Sequence, residues 1–175
     1  MGKIWGWIRV IVFFPITIVF YLFKFVWQII DRNITNKYLQ NIDIQKIDTL
    51  DGLAFEEFLY CTFKNLGIKV TKTKSSRDYG ADLVLKLKHQ TIVIQSKLYF
   101  NHSVGNSAVQ EIATARSYYN ANSGVVITNS YFTKSAKNLA GVTNIKLIDR
   151  NLLQEFLMSN KSIKLSIINE WQTIV

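Results

Sequence analysis

A run of 21 residues from Val10 to Ile30 contains a single charged side chain, Lys24. A helix of that length rises about 1.5 Å per residue and reaches roughly 30 Å, the thickness of a bilayer core. Trp5, Trp7 and Trp27 flank the run, as aromatic residues do where a membrane helix meets water. The run therefore predicts an N-terminal transmembrane helix, which would separate the chain into an anchor and a folded domain.

Other interpretations of the apolar run are weaker. A cleaved signal peptide needs small residues after its apolar core, but the polar sequence QIIDRN follows here. A buried soluble helix would need a large partner core. An anchor could also lie in the bilayer as a hairpin or an interfacial helix. The basic residues Lys24, Arg32 and Lys37 outnumber Lys3 and Arg9, which favours a single-pass membrane protein whose C-terminal domain is cytoplasmic.

Composition excludes several kinds of site. The only cysteine, Cys61, cannot form an internal disulfide, and one cysteine with two histidines cannot build a cysteine-based or three-histidine zinc site. The 175-residue chain carries a formal net charge of +9, so a polyanionic partner is expected. Nucleic acid and anionic lipid are both open as that partner.

Hydrophobic periodicity predicts one α/β domain after the anchor. We expect residues 1–32 to form the anchor, 33–47 a polar connector, 48–158 the folded domain and 159–175 a C-terminal extension. Within the domain, helical and strand patterns follow one another in the order α-β-β-β-α-β-α-β-α. That order is typical of a mixed β-sheet sandwiched by helices.

The segment Ala81 to Lys97 predicts a β-hairpin with its turn at His89 and Gln90, because leucines recur at every second position from Leu83 to Leu87 and Ile92 and Ile94 continue the pattern on the return strand. With that turn, Asp82 lies opposite Lys97, and Gln95 shares their face. A carboxylate, an amide oxygen and an ammonium group then converge at the open end of the hairpin. A register shift of one residue would break this convergence.

Such a cluster suits metal-assisted phosphate chemistry. Asp82 and Gln95 offer the oxygen ligands that Mg²⁺ prefers, and Lys97 could orient water or offset phosphate charge. Glu56 or Glu57 on the first helix could add a carboxylate. The spacing alone is a weak signal, because an aspartate at a strand start often shapes a turn and a strand lysine is usually solvated. Gln110 and Glu111 could also face the site, although a solvated helix face is the commoner arrangement.

Several blocks of the sequence resemble the Mrr-like restriction endonucleases, a branch of the PD-(D/E)xK nuclease superfamily. The blocks occur in the family's order and cover about residues 50 to 155. They are GLAFEEF with NLGIKV, TKSSRDYGADL, IVIQSK, VQEIATARSYY, GVVITNSYFTKSA and IKLIDRNLL.

The resemblance implies a restriction-endonuclease-like fold and a role for each matching residue. Asp82 matches the metal-binding aspartate, Gln95 and Lys97 match the Q-x-K form of the second motif, and Glu56 matches the helical glutamate. Asp82, Gln95 and Glu56 would then bind metal, with Lys97 completing the catalytic set. The implied cofactor is Mg²⁺, which Mn²⁺ could replace, and the implied substrate is double-stranded DNA, often modified.

Basic residues around the hairpin are candidates for contact with DNA phosphates. They are Lys72, Lys74, Arg77 and Lys86. The leading hypothesis is a membrane-anchored, Mg²⁺-dependent DNA endonuclease in restriction or defence, with residues 10–30 in the lipid bilayer. A homodimer is expected if both strands are cut, because two cuts normally need two active sites. One rival is an inactive nuclease-fold module that tethers DNA or a protein to the membrane, and another is an interaction protein whose basic face meets lipid.

Overall fold

The computed structural model describes residues 21–24, 42–73 and 79–171. The chain divides into two compact units, residues 1–40 and 41–175. In the first unit the described residues, 21–24, are helical. The rest of the predicted anchor lies outside the described residues. No helix within the described ranges is long and apolar enough to cross a bilayer.

The second unit contains six helices and five strands within its described residues. The helices are α1 (Ile44–Ile47), α2 (Gly52–Asn65), α3 (Asn106–Tyr118), α4 (Lys134–Thr143), α5 (Arg150–Met158) and α6 (Lys161–Glu170). The strands are β1 (Lys69–Lys72), β2 (Leu83–Lys86), β3 (Thr91–Lys97), β4 (Ser123–Thr128) and β5 (Ile145–Ile148).

The five strands form one mixed sheet in the order β1-β2-β3-β4-β5. Neighbouring strands β1, β2 and β3 are antiparallel, whereas β3, β4 and β5 are parallel. All of β4 and residues 92–95 of the central strand β3 are buried, as expected for strands covered on both faces. The predicted α/β architecture with a mixed sheet is confirmed.

Helices cover both faces of the sheet. On one face α3 and α4 pack on a core that includes Val84, Val93 and Val126. On the other, α2 packs on β1 and β3, and α5 packs on β4 and β5. Phe63 of α2 and Phe156 of α5 join the helices of this second layer, with ring centroids 6.2 Å apart.

Local sequence signals explain where the helices begin and end. Asp51 accepts a hydrogen bond from the Ala54 amide at 2.7 Å and so caps α2. Thr133, Asp149 and Asn160 are the N-caps of α4, α5 and α6. Gly67, which follows α2, has φ of +88°, a conformation that glycine adopts without strain.

The structure adds detail at both ends of the predicted domain. Within the predicted connector, Ile44 and Ile47 of α1 are buried. Within the predicted C-terminal extension, α6 is followed by the buried Trp171, whose ring centroid lies 6.1 Å from that of Phe63. Both segments therefore contribute apolar side chains to the core of the second unit.

The predicted hairpin turn is wrong. The loop between β2 and β3 has four residues, 87–90, and Leu83 pairs with Ile94 while Val84 pairs with Val93. The expected pairing of Val84 with Gln95 is shifted by two residues. Because side chains alternate with a period of two, this shift keeps every side chain on its predicted face.

Candidate active site

The predicted site residues lie at the edge of the sheet where β3 ends. Gln95, Ser96 and Lys97 are the last three residues of β3. Asp82 directly precedes β2, and because β2 runs antiparallel to β3, its start lies beside the end of β3. The fold thus brings Asp82 to the same edge as the Q-x-K segment, although the turn differs from the prediction.

Asp82 is held by the strand that carries the other two residues. Its backbone N–H donates to the Ile94 carbonyl at 2.8 Å. Its carboxylate oxygen Oδ2 accepts hydrogen bonds from the Ser96 backbone N–H at 2.6 Å and from Ser96 Oγ at 2.7 Å. Two hydrogen bonds to one carboxylate oxygen fix its direction. Ser96, the middle residue of Q-x-K, therefore orients Asp82, a role that the sequence did not reveal.

Gln95 is buried, with 4% of its surface exposed. Its amide nitrogen Nε2 donates to Glu111 Oε2. Its amide oxygen Oε1 is also buried, yet it has no hydrogen-bond partner within the described part of the chain. A buried oxygen without a partner is costly, so this atom is suited to a ligand that supplies positive charge.

Lys97 pairs with the same glutamate. Its Nζ lies 2.9 Å from Glu111 Oε2, and the two side chains are 25% and 41% exposed. One carboxylate oxygen of Glu111 therefore binds the amide of Gln95 and the ammonium of Lys97 together. Glu111 thus fixes the side chains of Gln95 and Lys97 relative to α3. The ion pair of Lys97 and Glu111 stays partly open to solvent.

The expectation that Glu111 lies on a solvated helix face is wrong. Glu111 borders the buried stripe of α3, which contains Ala108, Val109 and Ile112. A helix position beside the buried stripe lies near the sheet that the stripe covers. The helical periodicity therefore indicated that Glu111 could approach the sheet. The contact itself depends on how α3 crosses the sheet, which the sequence pattern does not state.

Gly80 sets how closely the loop before Asp82 approaches α3. Its φ is +91°, and a Cβ built on it would lie 2.6 Å from Glu111 Cβ and 2.8 Å from the Glu111 carbonyl carbon and oxygen. Only glycine fits this conformation at this separation. Gly80 therefore shapes the loop before Asp82 and lets it pass close to α3.

Glu56 and Glu57 lie beside Lys72. Glu56 Oε1 is 3.9 Å from Lys72 Nζ, and Glu57 forms a closer ion pair with the same ammonium. The hydrogen bond from Lys72 lowers the pKa of Glu57, and the pKa of Lys72 is raised in return.

Burial, followed by the hydrogen bond to Glu57, raises the pKa of the nearby Cys61 thiol to about 11, so this cysteine is not a thiolate nucleophile at neutral pH.

The two described candidate DNA-binding lysines, Lys72 and Lys86, lie at opposite ends of β2, Lys72 on the neighbouring strand β1. Lys72 pairs with Leu83 and so lies beside the Asp82 end. Lys86 pairs with Thr91, next to the turn and away from Asp82. Lys74 and Arg77 lie outside the described residues. Lys72 is thus the described lysine of this set that lies nearest the candidate site along the sheet.

The donor set fits a divalent cation that prefers oxygen ligands. Asp82 and Glu111 offer carboxylates, and the unsatisfied Oε1 of Gln95 offers a neutral oxygen. In the described ranges, no three His, Cys, Asp or Glu side chains group together as a metal site. A metal ion bound here would therefore need the amide oxygen of Gln95 as a ligand.

A pocket of about 470 Å³ opens at the same edge of the sheet, beyond Lys97. Arg150 at the start of α5 donates to both carboxylate oxygens of Asp48, at 2.8 and 2.7 Å. The hydrogen bond from Arg150 lowers the pKa of Asp48. The buried side chain of Asn129 bonds both to Asp48 and to the backbone of Tyr99. These contacts tie α1, the loop after β3, the end of β4 and the start of α5 together.

Sequence comparison decides the family. The model of the restriction endonuclease family Mrr_cat matches residues 47–157, more than half of the chain. The chain belongs to the Mrr_cat family. The matched region contains all five strands and the Asp82, Gln95, Lys97 and Glu111 group. No curated protein sequence matches the chain significantly.

Similarity to the solved structure of AspBHI supports a restriction-endonuclease-like fold for this Mrr_cat domain. The DNA modification-dependent restriction endonuclease AspBHI matches with a TM-score of 0.51 and 18% identity over 79% of this chain. MspJI, solved as a restriction endonuclease in complex with a 27-mer oligonucleotide, matches with a TM-score of 0.43 and 18% identity over 78% of this chain. The matches span only 38% of AspBHI and 36% of MspJI.

Proposed function

We propose that this Mrr_cat protein is a divalent-metal-dependent DNA endonuclease that hydrolyses phosphodiester bonds in double-stranded DNA, in restriction of foreign or modified DNA. One observation carries the proposal. The buried Oε1 of Gln95 has no partner among the described residues and lies in a group with Glu111 and Lys97. Such a group matches the needs of a Mg²⁺ site, and family membership supports a nuclease.

The metal-holding residues in this proposal are Asp82, Gln95 and Glu111. When bound, Mg²⁺ or Mn²⁺ would polarise the phosphate and stabilise the charge that develops on it. Glu56, whose Oε1 lies 3.9 Å from Lys72 Nζ, stays a candidate ligand. The two hydrogen bonds from Ser96 keep Asp82 pointing in one direction.

In this proposal Lys97 offsets phosphate charge and orients the attacking water. Its ammonium is held by Glu111 at 2.9 Å and is partly exposed, so a phosphate and an attacking water can both reach it. A positioned cation offsets phosphate charge and orients water for attack. Glu111 would then hold Lys97 and Gln95 in place through Oε2. Its other carboxylate oxygen would be available to the metal ion.

The setting of the domain is a separate part of the proposal. Residues 10–30 anchor the protein in a lipid bilayer as a single-pass segment, with the nuclease domain of residues 48–158 in the cytoplasm. The support is the 21-residue apolar run and the excess of basic residues on its C-terminal side. Lys72, Lys74, Arg77 and Lys86 supply phosphate contacts, and a homodimer would cut both strands.

The test is cleavage of supercoiled plasmid by the full chain, purified in mild detergent, with Mg²⁺ or EDTA. Modified and unmodified plasmids are compared. We expect Mg²⁺-dependent nicking or linearisation by the wild type and none by Lys97→Ala or Asp82→Ala. Lys46→Ala, which removes an exposed lysine from α1, serves as a matched charge control and keeps full activity. Activity in EDTA, or in the Lys97→Ala variant, would refute the proposal. Salt-sensitive DNA binding without cleavage would favour a DNA-tethering module.

A further inference from the structure

We call the pocket beyond Lys97 the edge pocket. It lies close enough to the candidate site to contact DNA bound there. Its lining includes the loop of residues 99–103 and residues 129–131. Tyr99 follows Lys97 by two residues, and Asn129 follows Thr128, the strand partner of Lys97. At about 3.3 Å per residue, the nearest wall begins roughly 7 Å from Lys97.

Aromatic side chains form much of the wall of the edge pocket. The rings of Tyr99 and His102 stack with centroids 4.3 Å apart. Phe100 is 61% exposed and Tyr131 is 46% exposed. Exposed aromatic faces are apolar surface that gains stability when a flat ring stacks on them. The pocket therefore suits a planar ligand.

The charges of the edge pocket are already balanced. Both terminal nitrogens of Arg150 are bound by Asp48, so neither charge is left uncompensated. An anionic ligand such as a phosphate would have to compete with this bidentate pair. The edge pocket is therefore better suited to a neutral ligand than to an anion.

Polar groups without partners are nevertheless available there. The side chains of Asn101 and Ser103 line the pocket and make no hydrogen bond to any residue in the described ranges. An amide side chain offers a donor and an acceptor together, the combination that pairs with the edge of a nucleobase. Flat walls, balanced charge and free amide and hydroxyl groups are the features of a nucleobase site.

We propose that the edge pocket binds a single unstacked nucleobase of the DNA strand held at the candidate active site. The inference rests on the proposed nuclease function, because the substrate supplies the base. Successive nucleotides of a strand advance about 3.4 Å along the duplex axis, so a wall roughly 7 Å from Lys97 lies about two nucleotides from the scissile phosphate. A free nucleoside has the same chemistry, but the position beside Lys97 favours the DNA strand.

Binding assays on two labelled duplexes of the same sequence test this inference. One duplex is fully paired, and the other carries one unpaired, bulged adenine, which spares the few kcal/mol needed to unstack and unpair a base. The full chain is assayed in EDTA, so that no cleavage occurs. We expect about tenfold tighter binding to the bulged duplex, because its unpaired base can stack on the exposed aromatic side chains.

Variants separate the pocket from general DNA binding. Phe100→Ala should reduce the preference for the bulged duplex to less than about twofold, whereas Phe100→Trp, which keeps an aromatic face, should retain it. Met158→Ala, at a side chain 80% exposed on α5 and outside the pocket lining, is the matched control and retains the preference. Melting temperatures check that each variant folds, because exposed substitutions change stability little.

The outcomes distinguish the inference from the proposed function. Equal binding of both duplexes by the wild type, or a preference that survives in Phe100→Ala combined with Tyr131→Ala, overturns the inference. Saturable binding of free adenosine without a preference for the bulged duplex overturns the assignment to the DNA strand. Nicking of paired plasmid without any preference leaves the nuclease proposal intact and removes this inference. No binding of either duplex overturns the inference, and plasmid cleavage in Mg²⁺ then decides the nuclease proposal separately.

Discussion

Replacement of Gly80 by alanine should disturb the candidate site through the position of α3. A Cβ at residue 80 would lie 2.6 Å from Glu111 Cβ, whereas ordinary contact begins at 3.4 Å, so the two segments must separate by roughly 0.8 Å. If α3 moves, the 2.9 Å contact between Glu111 Oε2 and Lys97 Nζ lengthens to about 3.7 Å and ceases to be a hydrogen bond.

The expected losses follow from that displacement. A misplacement of about 1 Å costs on the order of 100-fold in rate, so we expect about 100-fold slower single-turnover nicking by Gly80→Ala. The left-handed φ of +91° adds about 1–2 kcal/mol of strain, and overpacking adds about 1–3 kcal/mol. The free energy of unfolding should fall by about 3 kcal/mol, or roughly 6–12 °C in melting temperature.

Gly67→Ala is the matched control. Gly67 has a similar φ of +88° but no heavy atom within 4 Å of its built Cβ, so it pays the backbone strain alone. We expect it to lose about 1–2 kcal/mol of stability and to nick plasmid at the wild-type rate. The reasoning is refuted if Gly80→Ala matches Gly67→Ala in both rate and melting temperature.

Three further predictions concern the contacts around the site. Ser96→Ala removes the 2.7 Å bond from Ser96 Oγ to Asp82 but keeps the bond from the backbone N–H, so single-turnover nicking should slow about tenfold. An unchanged rate would contradict the role of Ser96 in orienting Asp82. Arg150→Ala leaves the partly buried Asp48 without its bidentate partner, and urea denaturation should show a loss of about 2 kcal/mol; a loss below about 0.5 kcal/mol would count against it. Because the pKa of Asp48 is lowered, the pair stabilises the fold fully above about pH 4 and loses this contribution as the pH falls through the lower folded-state pKa. The stability difference between the wild type and Asp48→Asn should therefore be constant from pH 5 to 7 and shrink in stronger acid, and a difference that grows there would contradict the assignment.

Much of the fold could be predicted from the sequence because the apolar patterns are local. The apolar runs of β2 and β3 and the capping residue Asp51 each act within a few residues. The hairpin turn could not be predicted, because neither His89 nor Gln90 has a strong turn preference and the loop has four residues. The site prediction survived this error because the shift of two residues preserved the faces.

The candidate site was predicted only in part for a similar reason. Asp82, Gln95 and Lys97 lie on adjacent strands, so local pairing brings them to one edge. Glu111 reaches the same edge from a helix, and its place depends on the close packing of α3 on Gly80. Such contacts join segments about 30 residues apart, and no local pattern specifies them. The expected role of Glu56 stays a prediction.

The most direct test of the metal-dependent site is the single-turnover nicking rate of the full chain, measured as a function of Mg²⁺ concentration. For the wild type we predict no rate in EDTA and a rise to a plateau. Glu111→Gln should shift the midpoint to about 10–100-fold higher Mg²⁺, because it removes a carboxylate from the donor set. Lys97→Ala should lower the plateau with little change in midpoint. Nicking in EDTA, or Mg²⁺ midpoints that are equal in the wild type and Glu111→Gln, would contradict the account.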